Sequence, residues 1–357
     1  MPNKMKLVLE NGLEFHGEGF GAQTAATGEI VFNTSMVGYQ EIISDPSYAG
    51  LIVLMTYPPM GQYGITDEDF EARNFGVAAM VVKECCGTPS NFRYTKTLSE
   101  ELEEHKIPGI SGLDTRMLTH IIRENGPMRA AVVPEEVSRE EALAMIASAP
   151  EDENPLGKVS CTKRWFSRTL NHTYDVVVID CGVKHSVVKA LNELGCNVTV
   201  VPYSSTVDEI MAFNPDGVLV SSGPGNPNNL PGMVELINAL KGRVPMVGLG
   251  LGFELIALSY GIELEKLGCG VHGGAPVRNV ETGRIITVEH HYTCAVKPRE
   301  LPSGSAVKAS YRNVVDGTIV GIECAGDKVS AVQFSPEGGP GPRESDFFGK
   351  FIKAMED

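Results

Sequence analysis

The sequence predicts a two-domain α/β protein, in which an α+β unit over residues 1–134 precedes a doubly wound parallel sheet over residues 174–357. The first observation is length, because 357 residues exceed what one hydrophobic core usually holds. The second is a change of rhythm at Tyr174, after which short apolar strands alternate with helices. Such alternation is typical of parallel βαβ units. Residues 135–173, an acidic helix and then a polar stretch, are predicted to be a linker.

The N-terminal domain is expected to mix strands and helices. Short β-type segments bounded by turn residues predict strands at residues 6–9, 29–33, 51–56, 77–82 and 128–133. One clear helix is predicted, at residues 114–125.

The C-terminal domain is expected to alternate strands and helices along the chain. Apolar runs predict strands at residues 174–180, 197–201, 217–220 and 244–249. The intervening segments predict helices at residues 185–194, 207–213, 233–240 and 255–260. In open sheets of this kind, ligands bind outside the carboxyl ends of the strands. The loops at those ends are SSGPGNP and GLGLG, and we expect the functional site there.

Bulk composition excludes several classes of function. Thirty basic and forty-five acidic residues give a net charge of −15, which disfavours nonspecific binding to nucleic acid or to an anionic membrane. No apolar run approaches the roughly 18 residues of a membrane span, and Glu10 interrupts any signal-peptide core. A cytoplasmic location with eight reduced cysteines is therefore expected.

The segment VGLGLGFEL, residues 247–255, carries the pattern G-x-Z-x-G between an apolar strand and a helix. Residue Z of such a turn is usually a nucleophile, because the turn points its side chain out of the sheet. Here Z is Gly250, which has no side chain. Glycine tolerates strained backbone conformations, so the turn is predicted to persist without its nucleophile.

Several longer segments carry a resemblance to a known family. The C-terminal half contains DCGVKHSVVKAL, NPDGVLVSSGPGNP and VQFSPEGGPGP, and it resembles a class I glutamine amidotransferase domain. The N-terminal half contains GEIVFNTSMVGYQEIISDPSYAG, TYPPMGQYG, PSNFR and IPGISGLDTRMLTHIIRENG. These segments are similar to ones peculiar to the small subunit of carbamoyl phosphate synthetase. The whole chain therefore resembles that family.

The resemblance implies a role for the chain and a partner. In the family, the small subunit hydrolyses glutamine and passes ammonia through a tunnel to a large ATP-dependent subunit. The large subunit makes carbamoyl phosphate for arginine and pyrimidine synthesis. The resemblance thus implies a heterodimer in which ATP and Mg²⁺ belong to the large subunit, with no cofactor in this chain.

The catalytic residues of the family are missing at two positions. In the family motif G-I-C-L-G-H-Q the cysteine position falls on Gly250, and in H-P-E the histidine position falls on Ser335, while Glu337 keeps the acid. Amide hydrolysis by this route needs a thiolate, a base and an orienting acid. A serine hydroxyl has no pKa near neutrality and cannot replace imidazole. The sequence therefore predicts a subunit without glutaminase activity, which acts as a structural or regulatory partner of the large subunit.

The resemblance also implies a set of glutamine-binding positions, which are Ser47, Gly223, Gly225, Leu251, Glu254 and Tyr292. A carboxylate at Glu254 is expected to meet the substrate differently from an amide. Tyr292 stands at a glycine position and is expected to crowd the ligand. Glutamine is therefore a doubtful ligand.

Three alternatives remain open at this point. Cys269 or Cys294 could serve as a displaced nucleophile in an active glutamine-hydrolysing subunit. A carboxylate pair, Glu254 with Glu337, could act by acid–base hydrolysis. A tetrahedral zinc site is a further hypothesis, based on the C-x2-H and H-x2-C pattern of Cys269, His272, His291 and Cys294. We predict no metal, because only the two cysteines are new to the family pattern.

Overall fold

The computed structural model describes residues 3–73, 76–150, 154–296, 301, 306–338 and 343–356. Its contacts divide the chain into two compact units. The first comprises Met1–Glu153 with Gly268–His272, and the second comprises Asn154–Leu267 with Gly273–Asp357. None of the described helices is long and apolar enough to cross a membrane.

The N-terminal unit is built on a closed barrel of seven strands. Its described elements are β1 (Lys4–Leu9), β2 (Glu14–Gly21), β3 (Ala26–Asn33), α1 (Tyr39–Ser44), β4 (Leu51–Met55), β5 (Pro59–Met60), β6 (Ala79–Val81), β7 (Glu84–Cys85), α2 (Leu98–Glu104), β8 (Pro108–Ser111), α3 (Thr115–Asn125), β9 (Met128–Pro134) and α4 (Arg139–Ser148). The barrel order is β1-β2-β8-β6-β4-β3-β9, and β5 pairs with β7 apart from it.

Alternation along the barrel strands places apolar side chains on both faces. Ile30 and Phe32 belong to one buried cluster, while Val31 between them belongs to another that includes Tyr39 of α1. Side chains of a strand point alternately to its two faces, so both faces of β3 are covered. The five strands predicted for this unit are all present.

The sequence did not predict β2, which closes the barrel between β1 and β8. This strand carries glycines, which are unusual inside strands. A Cβ at Gly17 would lie 2.2 Å from the backbone oxygen of Ser111, and one at Gly19 would lie 2.6 Å from the side chain of Met5. The glycines allow close approach of neighbouring strands, and they removed the β-type signal from the segment.

The C-terminal unit contains one large mixed sheet. Its described elements are α5 (Pro155–Val159), β10 (Trp165–Ser167), β11 (Tyr174–Asp180), α6 (His185–Glu193), β12 (Cys196–Pro202), α7 (Val207–Met211), β13 (Gly217–Val220), α8 (Pro231–Leu240), β14 (Met246–Leu249), α9 (Leu251–Ser259), β15 (Leu264–Asn279), β16 (Ile285–Val296), β17 (Lys308–Asn313), β18 (Ile319–Cys324), β19 (Val329–Val332), β20 (Phe334–Ser335) and α10 (Ser345–Glu356).

The centre of the sheet is parallel, in the order β12-β11-β13-β14-β19. This agrees with the predicted α/β class, and the doubly wound arrangement of the helices stays a prediction. The prediction of a wholly parallel sheet is wrong, however. Strand β10 pairs antiparallel with β12, and β18-β17-β15-β16-β20 extend the sheet beyond β19, where the pairings described are antiparallel.

Two further segments differ from their prediction. The helix expected at residues 255–260 begins earlier, at Leu251, because the glycine pair around the turn lets the chain enter the helix at once. Residues 135–173, expected as a linker, contain α4 in the first unit and α5 and β10 in the second. The linker itself stays a prediction.

Candidate functional site

The strand-to-helix turn has the geometry that the sequence predicts. Strand β14 ends at Leu249, Gly250 follows with φ 53° and ψ −113°, and α9 begins at Leu251. The N–H of Gly250 donates to the backbone oxygen of Val332 at 2.9 Å. A Cβ at Gly250 would lie 3.1 Å from that of Ser222. The turn is thus a tight elbow in a conformation that favours glycine.

The glycines on either side of the elbow bring α9 close to the sheet. A Cβ at Gly252 would lie 2.2 Å from the backbone oxygen of Val220, and one at Gly248 would lie 2.6 Å from the side chain of Ile256. Any larger residue at Gly252 would push the helix away from β13. The G-x-Z-x-G pattern is therefore required by packing, whether or not the apex carries chemistry.

The loop after β13 lies beside the elbow and carries two of the predicted binding positions. Strands β13 and β14 are parallel neighbours, so their carboxyl ends, and the loops that follow, meet at one edge of the sheet. A Cβ at Gly223 would lie 1.9 Å from the backbone oxygen of Cys181, and Gly225 has φ 107°. Gly223, Gly225 and Gly250 are thus backbone positions that a larger residue would disrupt, and we call them the glycine cradle. The binding of glutamine by these positions and by Leu251 stays a prediction.

Ser47 belongs to the first unit. It lies in a short 3-10 turn, where its N–H donates to the Oδ1 of Asp45 at 2.8 Å, and it is buried. Its contribution to a site with Gly223, Gly225 and Leu251 stays a prediction.

The two remaining positions of the predicted catalytic set meet at the end of β20. Lys184, in the loop after β11, donates from Nζ to the Oγ of Ser335 at 3.0 Å. The same Nζ forms an ion pair with the carboxylate of Glu337. The side chains of Lys184 and Glu337 are 2% and 1% exposed, respectively. Glu337 is therefore the partner of a buried ammonium.

In this arrangement Lys184 supplies hydrogen-bond donors rather than a base. The contact of Lys184 with the carboxylate of Glu337 is an ion pair of a lysine ammonium. An ammonium donates three hydrogen bonds and accepts none. Lys184 therefore meets Ser335 as a hydrogen-bond donor and cannot take its proton. We predict a structural role for the buried pair.

Glu254, predicted to contact the ligand, forms a hydrogen bond with Gln333 in the C-terminal unit. Its side chain is buried, and its Oε1 accepts a hydrogen bond from the Nε2 of Gln333 at 2.9 Å. The same Nε2 donates to the backbone oxygen of Cys294 at 2.6 Å. Burial raises the pKa of Glu254 to about 8. This shift favours the neutral carboxyl, and the effect of Glu254 on a bound substrate stays a prediction.

Tyr292 lies in the interior of the C-terminal unit. Its ring stands edge-on to His290, with 5.6 Å between ring centroids, and its Oη accepts a hydrogen bond from the Nδ2 of Asn313 at 3.5 Å. Burial raises the pKa of the Tyr292 phenol. The crowding of a ligand by this ring stays a prediction.

The displaced-nucleophile alternative finds little support in the structure. Cys294 is buried, and burial raises its pKa to about 11, with the nearby carboxyl of Glu254 adding to the effect. Burial also raises the pKa of Cys269, which packs against the barrel core. Reactive cysteines instead have lowered pKa values and an open approach. Both thiols are therefore protonated at neutral pH.

The zinc hypothesis also finds little support in the structure. Cys269 and His272 belong to the first unit, whereas His291 and Cys294 belong to the second. Across the residues that the structure describes, no three His, Cys, Asp or Glu side chains are grouped so that they could hold a metal ion. The two carboxyls of the other proposed pair have different partners. Glu254 accepts a hydrogen bond from Gln333, and Glu337 forms an ion pair with Lys184.

Lys184 is the site residue that sequence reasoning missed. It stands in the segment DCGVKHSVVKAL, directly after a strand of the parallel sheet, which is the place where site residues are expected. Its contact with Ser335 joins residues 151 positions apart in the chain. The position of Lys184 after the end of a strand was the signal from which it could have been predicted.

The elbow, the glycine cradle and the paired acid define an amidotransferase-type α/β domain, and comparison with known proteins agrees. Residues 177–355 match the model of the class-I glutamine amidotransferase family. Residues 7–132 match the model described as "Carbamoyl-phosphate synthase small chain, CPSase domain".

Whole-chain relatives carry the same name. The chain is 42% identical over 348 residues to the carbamoyl phosphate synthase small chain of Archaeoglobus fulgidus, covering 97% of this chain and 96% of the relative. It is 40% identical over 358 residues to that of Bacillus caldolyticus, with 99% and 97% covered. It is 41% identical over 361 residues to the pyrimidine-specific small chain of Halalkalibacterium halodurans, with 99% and 97% covered. The protein therefore belongs to the carbamoyl phosphate synthase small chain family.

Proposed function

We propose that this protein is the amidotransferase-type small chain of a carbamoyl phosphate synthase, that it no longer hydrolyses glutamine, and that it acts as a structural or regulatory partner of a large chain. The observation that carries the proposal is the elbow. Gly250 stands at the apex with a backbone of the expected shape and no nucleophile. Ser335 and Glu337, at the base and acid positions, are bound to Lys184.

The residues at the base position support the same conclusion independently. Hydrolysis through a covalent intermediate needs a group that takes the proton of the nucleophile and returns it to the leaving ammonia. An ammonium paired with a buried carboxylate cannot do so. The chain would then leave the supply of nitrogen to free ammonia.

The partner in this proposal is a large chain that binds ATP and Mg²⁺, while the small chain binds no cofactor. The name of the family supports the partner, since a small chain implies a large one. Two of the relatives are named as pyrimidine-specific. We propose pyrimidine synthesis as the pathway served, with arginine synthesis as the other use of carbamoyl phosphate.

The decisive experiment compares nitrogen sources in the assembled enzyme. The small chain and the large chain of the same organism are purified together, and carbamoyl phosphate is measured with either ammonium or glutamine. We expect synthesis with ammonium and none above background with glutamine. Equal synthesis from glutamine would contradict the loss of glutaminase activity.

A matched set of variants tests the alternative function, in which a cysteine of this chain hydrolyses glutamine. The set distinguishes it from glutaminase activity of a contaminating protein. If Cys269 or Cys294 served as a nucleophile, then Cys269→Ala or Cys294→Ala would abolish any glutamine-dependent synthesis. Cys86→Ala, which alters a half-buried thiol in the barrel unit, is the control. Under the proposal, all three variants behave like the parent chain.

A further inference from the structure

One stretch of the C-terminal unit is basic, although the chain as a whole is acidic. The chain has forty-five acidic residues in 357 and a net charge of −15, yet residues 154–174 contain no Asp or Glu. The same stretch contains Lys158, Lys163, Arg164 and Arg168. A surface of one sign attracts ligands of the opposite sign. This stretch is therefore suited to an acidic ligand.

The basic stretch includes the outermost strand of the large sheet. Strand β10, Trp165–Ser167, pairs antiparallel with β12 and stands first in the strand order, so no described strand lies on its other side. An edge strand presents unpaired backbone N–H and C=O groups, to which a further strand can be added. The sheet thus ends, beside the basic residues, in backbone groups with which an extended peptide can pair.

Side chains along this strand alternate between two environments. Arg164, Phe166 and Arg168 are exposed, whereas the residues between them are half-buried. The Oγ of Ser167, one of the half-buried residues, donates to the Oδ1 of Asn192 in α6 at 3.0 Å. Because successive residues of a strand point to opposite faces, the three exposed side chains share one face. We call Arg164, Phe166 and Arg168 the basic edge.

The two arginines of the basic edge contact aromatic rings. The guanidinium carbon of Arg168 lies 5.3 Å from the centroid of the Phe166 ring, and that of Arg164 lies 5.5 Å from the centroid of the Phe213 ring. Among the residues that the structure describes, neither arginine forms an ion pair. A guanidinium stacked on a ring keeps the N–H groups at its edge available, and these can bind a carboxylate in a bidentate manner.

Glu209 is an acid whose charge interacts with that of Arg164, but it is engaged within its own helix. Its Oε2 accepts hydrogen bonds from the backbone N–H and the Oγ1 of Thr206, at 2.8 and 3.0 Å, in the capping box of α7. These hydrogen bonds lower the pKa of Glu209 more than Arg164 does. Glu209 therefore caps α7 and leaves Arg164 without a carboxylate in an ion pair.

Charged residues at a sheet edge can also serve only to prevent pairing with other chains. Exposed apolar groups would work against such protection. The side chain of Phe166 is nevertheless 47% exposed, and that of Leu170, two residues beyond the basic edge, is 100% exposed. Arginine and aromatic residues are both enriched where protein surfaces meet. An exposed ring between two arginines therefore favours a binding surface over a protected edge.

We propose that the basic edge binds an extended acidic peptide segment of a partner protein, which adds a strand beside β10. Residues of neighbouring strands that share a face lie opposite each other. Carboxylates four residues apart would therefore meet Arg164 and Arg168, and an apolar residue midway would meet Phe166. The ligand pattern is acid-x-apolar-x-acid. A nucleic acid supplies the negative charge but not the backbone groups that pair with a strand, so a peptide fits better.

The test measures binding of a synthetic peptide to the full-length chain by fluorescence anisotropy. The probe is fluorescein-labelled Thr-Glu-Thr-Val-Thr-Glu-Thr, and its counterpart has lysine in place of both glutamates. We expect saturable binding of the glutamate peptide alone, which weakens as salt rises from about 50 to 500 mM because exposed charges are screened. Arg168→Glu should weaken binding roughly tenfold or more, as at interface hot spots. Arg243→Glu, at another exposed arginine of the same unit, should bind like the parent.

Two further comparisons separate strand pairing and apolar contact from attraction between charges. The peptide is N-methylated either on its odd or on its even residues, since alternate N–H groups of a strand point to the same side. One methylated peptide should lose binding and the other should keep it. Phe166→Thr should weaken binding several-fold, whereas Ile285→Thr, at a side chain that is 50% exposed, should not. Circular dichroism verifies that each variant is folded.

Four results would overturn the proposal. They are no binding of the glutamate peptide, parent-like binding by Arg168→Glu, equal binding of the two methylated peptides, and equal binding of the lysine peptide. Tighter binding of a single-stranded heptanucleotide at the same salt would assign the surface to nucleic acid and would also contradict it. The experiment uses this chain without glutamine or a large chain, so its outcome is independent of the proposed function.

Discussion

Two regions of the C-terminal unit differ in how much of the family's site they retain. At the ends of β13 and β14, the glycine cradle is retained, because Gly223, Gly225 and Gly250 keep conformations and contacts that larger residues could not adopt. At the end of β20, the side chains that would act on a substrate are replaced or engaged elsewhere. The difference suggests that packing requirements preserve the cradle, whereas chemistry alone would preserve the catalytic set.

The buried ion pair should produce the largest effect on stability. Lys184→Met leaves the carboxylate of Glu337 buried without its counter-charge, which typically costs about 3–5 kcal/mol in the free energy of unfolding. The double variant Lys184→Met/Glu337→Gln should recover much of that loss, because it removes both charges. Denaturant unfolding measures the effect, with Lys189→Met on the exposed side of α6 as control. A loss below about 1 kcal/mol for the single variant would contradict a structural role for the pair.

Glu254 should make stability depend on pH. Its pKa is raised by burial to about 8 from an ordinary value of 4.5, so the folded chain binds more protons than the unfolded chain between those values. Stability from this group is therefore present below pH 4.5 and is lost as the pH rises toward 8, on the order of a few kcal/mol. The charge would form in a buried setting beside Gln333, Cys294 and Tyr292.

Glu254→Gln is the variant that checks this pH dependence. An amide of the same shape cannot ionise, so stability between pH 5 and pH 8 should flatten and exceed that of the parent at pH 8. Glu84→Gln, at an exposed position, should leave the pH profile as it is. Identical profiles for parent and Glu254→Gln would show that the carboxyl is not protonated in the folded state.

The glycine cradle gives a smaller effect. Gly223→Ala forces a Cβ against the backbone oxygen of Cys181 and should cost about 1–3 kcal/mol by overpacking. Gly232→Ala is the matched control, because that position is in α8 and a Cβ there meets nothing within 4 Å. We expect this control to be neutral or to stabilise by about 0.5–1 kcal/mol. Equal thermal midpoints for the two variants would show that the cradle tolerates side chains.

Sequence reasoning succeeded where the signal was local. Strand β11, Tyr174–Asp180, and strand β13, Gly217–Val220, were predicted to the residue, because continuous apolar runs mark buried parallel strands. The elbow at Gly250 was predicted for the same reason, since its pattern lies within nine residues of sequence.

The remainder depended on contacts between distant residues. The antiparallel extension of the sheet and the closure of the barrel by β2 arise from pairings that no single segment specifies. Likewise, the contact of Lys184 with Ser335 joins residues 151 positions apart, and no local pattern specifies it. The raised pKa of Glu254 follows from burial, which the sequence could not give.

The central claim is that the glycine cradle is retained although the chain no longer hydrolyses glutamine. The release of glutamate from glutamine tests this claim most directly. The purified chain is assayed alone and with its large chain, beside the small chain of Bacillus subtilis, a relative 38% identical over 355 residues. We predict that glutamate release by this chain stays at the level of a reaction without protein, under both conditions. Sustained turnover that rises when the large chain is added would contradict the account.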